Sequence, residues 1–172
     1  MTEAESGADP GARVREALDA TGVPYEVLDC DPELADTAAF CEHYGVPVEQ
    51  SANTILVAAK PRGGGDKVHV ACVVLAHTRL DVNGMVRRRL DVKKASFASG
   101  DETKELTGML IGGVTAAALP DDVPLWVDAR VMEADWVVLG GGDRSTKIKA
   151  APAVLTALGG EVVEDLAVVP DG

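Results

Sequence analysis

Two apolar runs frame the chain. Thr54-Ile-Leu-Val-Ala-Ala59 is almost continuously apolar and bounded by turn-forming residues, which predicts a buried strand. Val68 to Ala76 returns as its partner strand, and Pro61 to Asp66, with three glycines, makes the hairpin turn between them. Upstream, Val14, Ala17 and Leu18 recur at helical spacing. Asp9-Pro10 supplies a cap and a first-turn proline for that helix, and Gly22 stands where a terminating glycine belongs. Tyr25 to Leu28 predicts a short strand. Thr37 to Tyr44 predicts a second helix, closed by Gly45 and Pro47.

Downstream, Asp81 caps a helix expected to run through Arg89, and Ser96 to Ala98 reads as a short extended piece. Ser99 and Glu102 have the spacing of a capping box, so a helix is expected to about Leu106. Thr107 to Pro120 is a long loop holding Gly112-Gly113. Pro124 to Asp128 and Trp136 to Leu139 predict strands. Gly140 to Gly142 predict a turn, and Lys147-Ile148 begins another strand. A last helix spans Pro152 to Leu158 and stops at Gly159-Gly160. Strands and helices interleave, with no internal repeat and no Pro- or Ser-rich linker. The expected fold class is α/β (α+β): a single domain, with helices around a mixed, mainly antiparallel sheet. It would occupy residues 10–169, after a disordered lead at residues 1–9.

Composition narrows this picture. The length of 172 residues fits one domain. Aromatics are only 3%, so the core must be Val, Leu, Ala and Ile, and an aromatic platform for stacking bases is not expected. No run of 18 apolar residues exists, so no membrane-spanning helix is expected. Met1 to Asp9 is acidic and lacks the apolar segment of a signal peptide, which points to a cytoplasmic protein. Cys30, Cys41 and Cys72 have no metal-ligand spacing and are expected to be reduced and mostly buried.

The net charge of −12 is unevenly placed. Residues 1–36 carry ten acids against two bases, and residues 161–172 carry four acids and no base. The stretch between is neutral. Within it, Arg79, Arg87, Arg88, Arg89, Lys93 and Lys94 face only Asp81 and Asp91, and Arg144, Lys147 and Lys149 form a smaller group. A solvated helix face accounts for the first cluster. A local phosphate contact by Arg87, Arg88, Lys93 or Lys94 is the functional alternative. A long nucleic-acid footprint, and DNA binding with it, is disfavoured, because such affinity scales with the phosphates neutralised.

Familiar catalytic patterns are missing. His43, His69 and His77 are available, but no serine sits in a G-x-S-x-G elbow. His69 falls within a strand and reads as structural. No H-x-x-x-H, paired C-x-x-C or acidic metal loop is present, so neither a metal nor a cofactor is expected. The triple glycine at 140–142 lacks the Lys-Ser or Lys-Thr of a phosphate loop. The loop Gly108-Met-Leu-Ile-Gly-Gly-Val-Thr115 reads either as a surface loop or as backbone N–H groups brought close to a ligand, as in an oxyanion hole.

Taken in order, four segments resemble the YbaK and prolyl-tRNA-synthetase-associated editing-domain family. They are Tyr44 to Val57, with Asn53-Thr-Ile-Leu56; Arg79-Leu-Asp-Val82 and the basic stretch after it; Leu106-Thr-Gly-Met-Leu-Ile-Gly-Gly-Val-Thr115; and Gly141-Gly-Asp-Arg144 to Leu155. The resemblance runs from about Ala12 to Ala167. It implies a YbaK-like fold and a deacylase acting in trans, which hydrolyses the ester of a mischarged tRNA for translation quality control. It implies the CCA end of an aminoacyl-tRNA as partner and leaves room for an aminoacyl-tRNA synthetase as a second. Carried onto this sequence, it assigns Asn53, Gly112 and Gly113 to catalysis, and Thr54, Thr115, Lys147 and Arg144 to substrate binding.

The departures bear on activity. Asn53 stands where the family has a key lysine, and Thr115-Ala116 stands for a serine-proline pair. Lys147 aligns with an aspartate that some relatives carry, and could supply the missing charge from the opposite wall. Three functions follow: a diverged deacylase; a non-catalytic relative that keeps the pocket for an aminoacyl or nucleotide-like ligand; and a domain whose pocket is closed by packing and acts through protein contacts.

Overall fold

A computed structural model describes residues 9–110 and 112–170; apart from Asp9, the expected N-terminal lead lies outside the described residues. Helix α1 (Pro10–Thr21) begins because the Asp9 carboxylate accepts the Ala12 N–H at 3.2 Å, and it ends at Gly22 with φ 77°. Strand β1 (Tyr25–Asp29) and helix α2 (Thr37–Tyr44) follow. The hairpin is β2 (Ala52–Pro61) and β3 (Val68–Leu75), in register from Ala52↔Leu75 to Ala59↔Val68. After the short β4 (Arg79–Leu80), the Asp81 carboxylate accepts the Gly84 and Met85 N–H groups. The turn it caps is π-helical over Val82–Val86 and becomes α-helical only in α3 (Arg87–Leu90). The extended piece expected at Ser96 to Ala98 proves to be a longer strand, β5 (Val92–Phe97). Its two adjacent exposed lysines, Lys93 and Lys94, break the alternation that would have announced it.

Helix α4 (Gly100–Thr107) leads into the long loop, and β6 (Leu125–Asp128), β7 (Val137–Gly140), β8 (Thr146–Ala150) and α5 (Ala153–Ala157) follow as expected within a residue or two. Two further strands, β9 (Glu161–Val163) and β10 (Ala167–Val168), had no sequence signal. Each is too short to carry a period and is defined by the strand it joins.

A five-stranded sheet has the order β5-β2-β3-β6-β9; a three-stranded sheet has the order β1-β8-β7; β4 pairs with β10. Only β3–β6 and β6–β9 are parallel among these ladders, so the sheet system is mixed and mainly antiparallel. A parallel bridge, Ser51↔Val138, links the two larger sheets. The alternation along β2 serves two cores. Ala52 and Leu56 pack with Val14, Leu18, Val73, Leu139 and Ile148, while Val57 and Ala59 pack with Val70, Cys72, Val86 and Leu166. The strand from Thr54 is therefore covered on both faces, as its apolar run requires. A third cluster, Cys30, Ala35, Phe40, Cys41 and Val138, sits against the smaller sheet. All three cysteines are buried and free, and burial pushes the Cys72 thiol up to about 12.

Helix α4 uses half of its capping box. Ser99 Oγ accepts the Glu102 N–H at 3.0 Å, but the Glu102 carboxylate turns to His69 Nε2 at 2.6 Å, tying the helix to β3. The bond to His69 holds the Glu102 carboxyl below its ordinary value. A depressed acid contributes stability above its unfolded pKa, about 4.3, and loses it as pH falls through the lower folded value. Glu102→Gln should therefore cost about 1 kcal/mol or less near neutrality and nothing at acid pH, once the carboxyl is protonated in the folded protein as well. Urea unfolding of both proteins across that range checks this; an equal cost at all pH values would refute it.

Candidate active site

The site exists because β2 is paired unevenly. At one end, Ser51 bridges to Val138 of β7. Further along, β5 joins only from Val57, extended by the Ala98 N–H donating to the Leu56 carbonyl at 2.9 Å. Backbone groups alternate sides along a strand, so the N–H and C=O of Thr54 point the same way as those of Leu56, toward an edge where no strand lies. A cavity of about 190 Å³ fills this gap. It is lined by Ala52, Asn53, Thr54 and Ile55 of β2, Thr37 at the start of α2, Gly112 and Val114 of the long loop, Gly140 of β7, and Lys147 of β8.

Polar groups in this cavity are held by tertiary contacts. Thr37 Oγ1 donates to Asn53 Oδ1 at 2.7 Å, which leaves the Asn53 amide N–H groups without a bond to another described residue. Thr54 Oγ1 is buried and has no hydrogen-bond partner among the described residues. An unmade bond of this kind costs about 1–3 kcal/mol. Lys147 is 7% exposed. Its Nζ donates to the Ala35 and Gly112 carbonyls, both at 2.7 Å, and lies 5.2 Å from the centre of the Phe40 ring. An ammonium has three donors, so one remains. Burial holds the Lys147 pKa below the ordinary lysine value, because removing the ammonium from water disfavours its charged form.

Of the residues picked from sequence, Asn53, Thr54, Gly112 and Lys147 meet in the cavity. Gly113, Thr115 and Arg144 are not among its lining residues. The idea that both glycines offer N–H groups to a ligand needs correction: the Gly113 N–H donates to the Leu110 carbonyl at 2.7 Å, and its own carbonyl accepts from Gly142 at 2.6 Å. Gly113 is a glycine because a β-carbon there would meet the Asp143 backbone, 2.6 Å from its carbonyl carbon. Thr115 is 1% exposed and begins the descent of the loop into the core with Ala116 and Ala117. The Arg144 guanidinium donates to the Pro32 carbonyl at 2.8 and 3.1 Å and pairs with Asp36 at 3.3 Å. It also lies where a β-carbon on Gly112 would go, which, with φ 93°, accounts for that glycine. Arg144 therefore clamps the segment before α2 against the glycine loop.

Thr37, Ala52, Ile55, Val114 and Gly140 also line the cavity and were not singled out from sequence. Nothing local marks Thr37; its role comes from α2 packing beside β2. Among the described residues, no group of His, Cys, Asp and Glu could hold a metal ion, and no helix is long and apolar enough to cross a membrane.

Comparison with known proteins agrees with this geometry. Residues 31–158 match the model of the aminoacyl-tRNA editing domain. The chain is similar to a solved protein described as a candidate trans-editing enzyme for prolyl tRNA synthetase, with 24% identity and a TM-score of 0.76 over 95% of this chain and 98% of that one. It is also similar to a solved hypothetical protein, with 27% identity and a TM-score of 0.77 over 90% of this chain and 99% of that one. A scaffold protein used for epitope grafting shares the fold at 20% identity and a TM-score of 0.77.

The tight approach of Gly113 to Asp143 makes a direct test. Gly113→Ala has no flexible side chain to displace, only backbone, so it should destabilise the protein by about 1–3 kcal/mol. Chemical denaturation of the variant measures this. A cost below about 0.5 kcal/mol would mean the loop moves aside freely.

Proposed function

The chain belongs to the aminoacyl-tRNA editing domain family, and on that premise we propose that it acts in trans as a deacylase on the 3′ ester of a mischarged tRNA. In this reaction water adds to the acyl carbon, the bond from that carbon to the ribose oxygen breaks, and the ribose oxygen takes the proton. The products are a free amino acid and an uncharged tRNA. Such removal is needed where a synthetase pocket cannot reject a near-isostere by binding alone.

The single observation that carries this reading is the cation in the gap beside β2. Asn53 offers only a neutral amide at the position where the family resemblance expects a lysine, yet Lys147 lines the same cavity and its ammonium is bonded to the carbonyl of Gly112, another lining residue. In our reading Lys147 stabilises the oxyanion that forms on the acyl carbon, through its charge and its one uncommitted N–H. A positive charge fixed in a secluded site is worth more to a developing anion than the same charge in water. Asn53 and Thr54 bind the substrate's polar groups, with the Thr54 hydroxyl finding in the ligand the partner it lacks. Gly112 sets the wall opposite through its carbonyl bond to Lys147. The cavity, about 190 Å³, is smaller than the ~300–1,000 Å³ of sites for drug-sized ligands, which suits an aminoacyl group better than a whole nucleotide.

The same substitution at Asn53 favours a second reading, a non-catalytic module that binds an aminoacyl ligand. Rates separate the two. Single-turnover release of amino acid from a panel of mischarged tRNAs should exceed the buffer rate for at least one. Lys147→Met should lower that rate about ten- to a hundredfold, the equivalent of about 1.4–2.8 kcal/mol. The wild-type advantage over Lys147→Met should shrink as pH rises through the depressed Lys147 pKa, since only the protonated form carries charge. Asn53→Lys should gain less than tenfold, because a second ammonium would repel the first. No release from any charged tRNA by folded protein would put the non-catalytic reading first.

A further inference from the structure

Beyond the cavity, at the hairpin end of the same strand, a second concavity of about 410 Å³ is lined by Lys60, Lys67, Lys94, Ser96, Ser99 and Glu102, among others. Lys60 of β2 and Lys94 of β5 are direct cross-strand partners, and both are exposed. Like charges placed opposite each other weaken a sheet. Neither lysine has an ion-pair partner among the described residues, although the chain carries twelve more negative than positive charges. Lys67 adds a third ammonium, shared at 3.6 Å with Glu102. An acidic protein thus keeps an unneutralised pair of ammonium groups at the rim of a hollow, which suits an anion with more than one charge.

Position says which anion. Lys60 and Thr54 lie six residues apart on β2; Leu56 and Ala58 between them are buried, so a ligand reaching both must run along the β2–β5 edge and not over the face of the strand. At a rise of ~3.3 Å per residue they are separated by about 20 Å. Phe97, 60% exposed, pairs with Val57 at the sheet edge, so its side chain belongs to the opposite face from Thr54 and Lys60. A single-stranded end a few nucleotides long spans that distance. Two neighbouring ammonium groups fit successive phosphates.

We propose that Lys60 and Lys94, with Lys67 behind them, hold backbone phosphates of the tRNA strand whose 3′ end enters the cavity beside Thr54. This rests on the editing reading of the cavity. The site fixes how the end is threaded: 3′ terminus at Thr54, preceding nucleotides along the β2–β5 edge. Of the residues offered by the sequence for a local phosphate contact, Arg87, Arg88, Lys93 or Lys94, it keeps Lys94 and adds Lys60 and Lys67.

The test is binding of uncharged tRNA ending in CCA at several salt concentrations, with three proteins: wild type, Lys60→Glu/Lys94→Glu, and Arg87→Glu/Arg88→Glu, which changes net charge equally. The first variant should bind at least about tenfold more weakly, and its log–log salt slope should be shallower by about 1.4, from two lost single-strand phosphate contacts. The second should change both by much less. Equal losses in the two variants would mean that only net charge matters and would overturn the proposal. So would full displacement of tRNA by millimolar inorganic phosphate, the behaviour of a small-anion site. Lys60→Ala/Lys94→Ala, the milder pair, should show the same order of effects if the reversal disturbs β5. Hydrolysis of an aminoacyl-adenosine ester by wild type, a substrate too short to reach Lys60, tests the cavity alone. Its failure would remove the editing reading, while the binding comparison would still decide the lysine site.

Discussion

The architecture depends on β2 serving two sheets without being fully paired along either edge. It is zipped to β3 along eight residue pairs, to β5 only at its far end, and to β7 by a single bridge at its near end. Where neither β5 nor β7 reaches, a strand edge is left inside the molecule. Backbone groups in such a place need partners, because an unmet buried hydrogen bond costs more than a made one gains. A ligand there can supply them. The protein thus forms a cavity where strand pairing is withheld, while the rest of β2 is buried on both faces.

A buried ammonium then links the elements around that opening. Lys147 comes from the smaller sheet, and its two carbonyl partners come from the segment before α2 and from the glycine loop. Burying it is costly, as the lowered pKa records. The two carbonyl bonds offset part of that cost, since an apolar side chain would leave the Ala35 and Gly112 oxygens without them. Arg144 works beside it from outside, fixing Pro32 and Asp36 by hydrogen bonds and so setting where Ala35 presents its carbonyl.

The charge pattern follows the same division. Acids dominate both ends of the chain, while the unneutralised lysines stand on the β2–β5 edge. A polyanion approaching this protein meets a net charge of −12, and exposed lysines without an ion pair offer it a local exception. Acidic character therefore restricts how a nucleic acid can be presented rather than forbidding it.

Much of this was legible in the sequence. Caps and glycines fixed α1, α2 and α4, because those signals act within one turn of the chain. The apolar run at Thr54 to Ala59 announced a doubly covered strand, because burial on both faces demands it. The order of four motifs identified the family, and pointed to Asn53, Thr54 and Gly112, which line one cavity. Tertiary structure alone decided the rest. The length of β5 and the existence of β9 and β10 come from partners distant in sequence. Gly113 turned out to be required by the approach of Asp143, and Thr115 by the core, since a glycine or threonine in a loop does not reveal what lies across from it. The meeting of Lys147 with Asn53, and of Lys60 with Lys94, depends on register between strands. Register is set by the packing of whole faces, and no local pattern of residues encodes which side chain will stand opposite which.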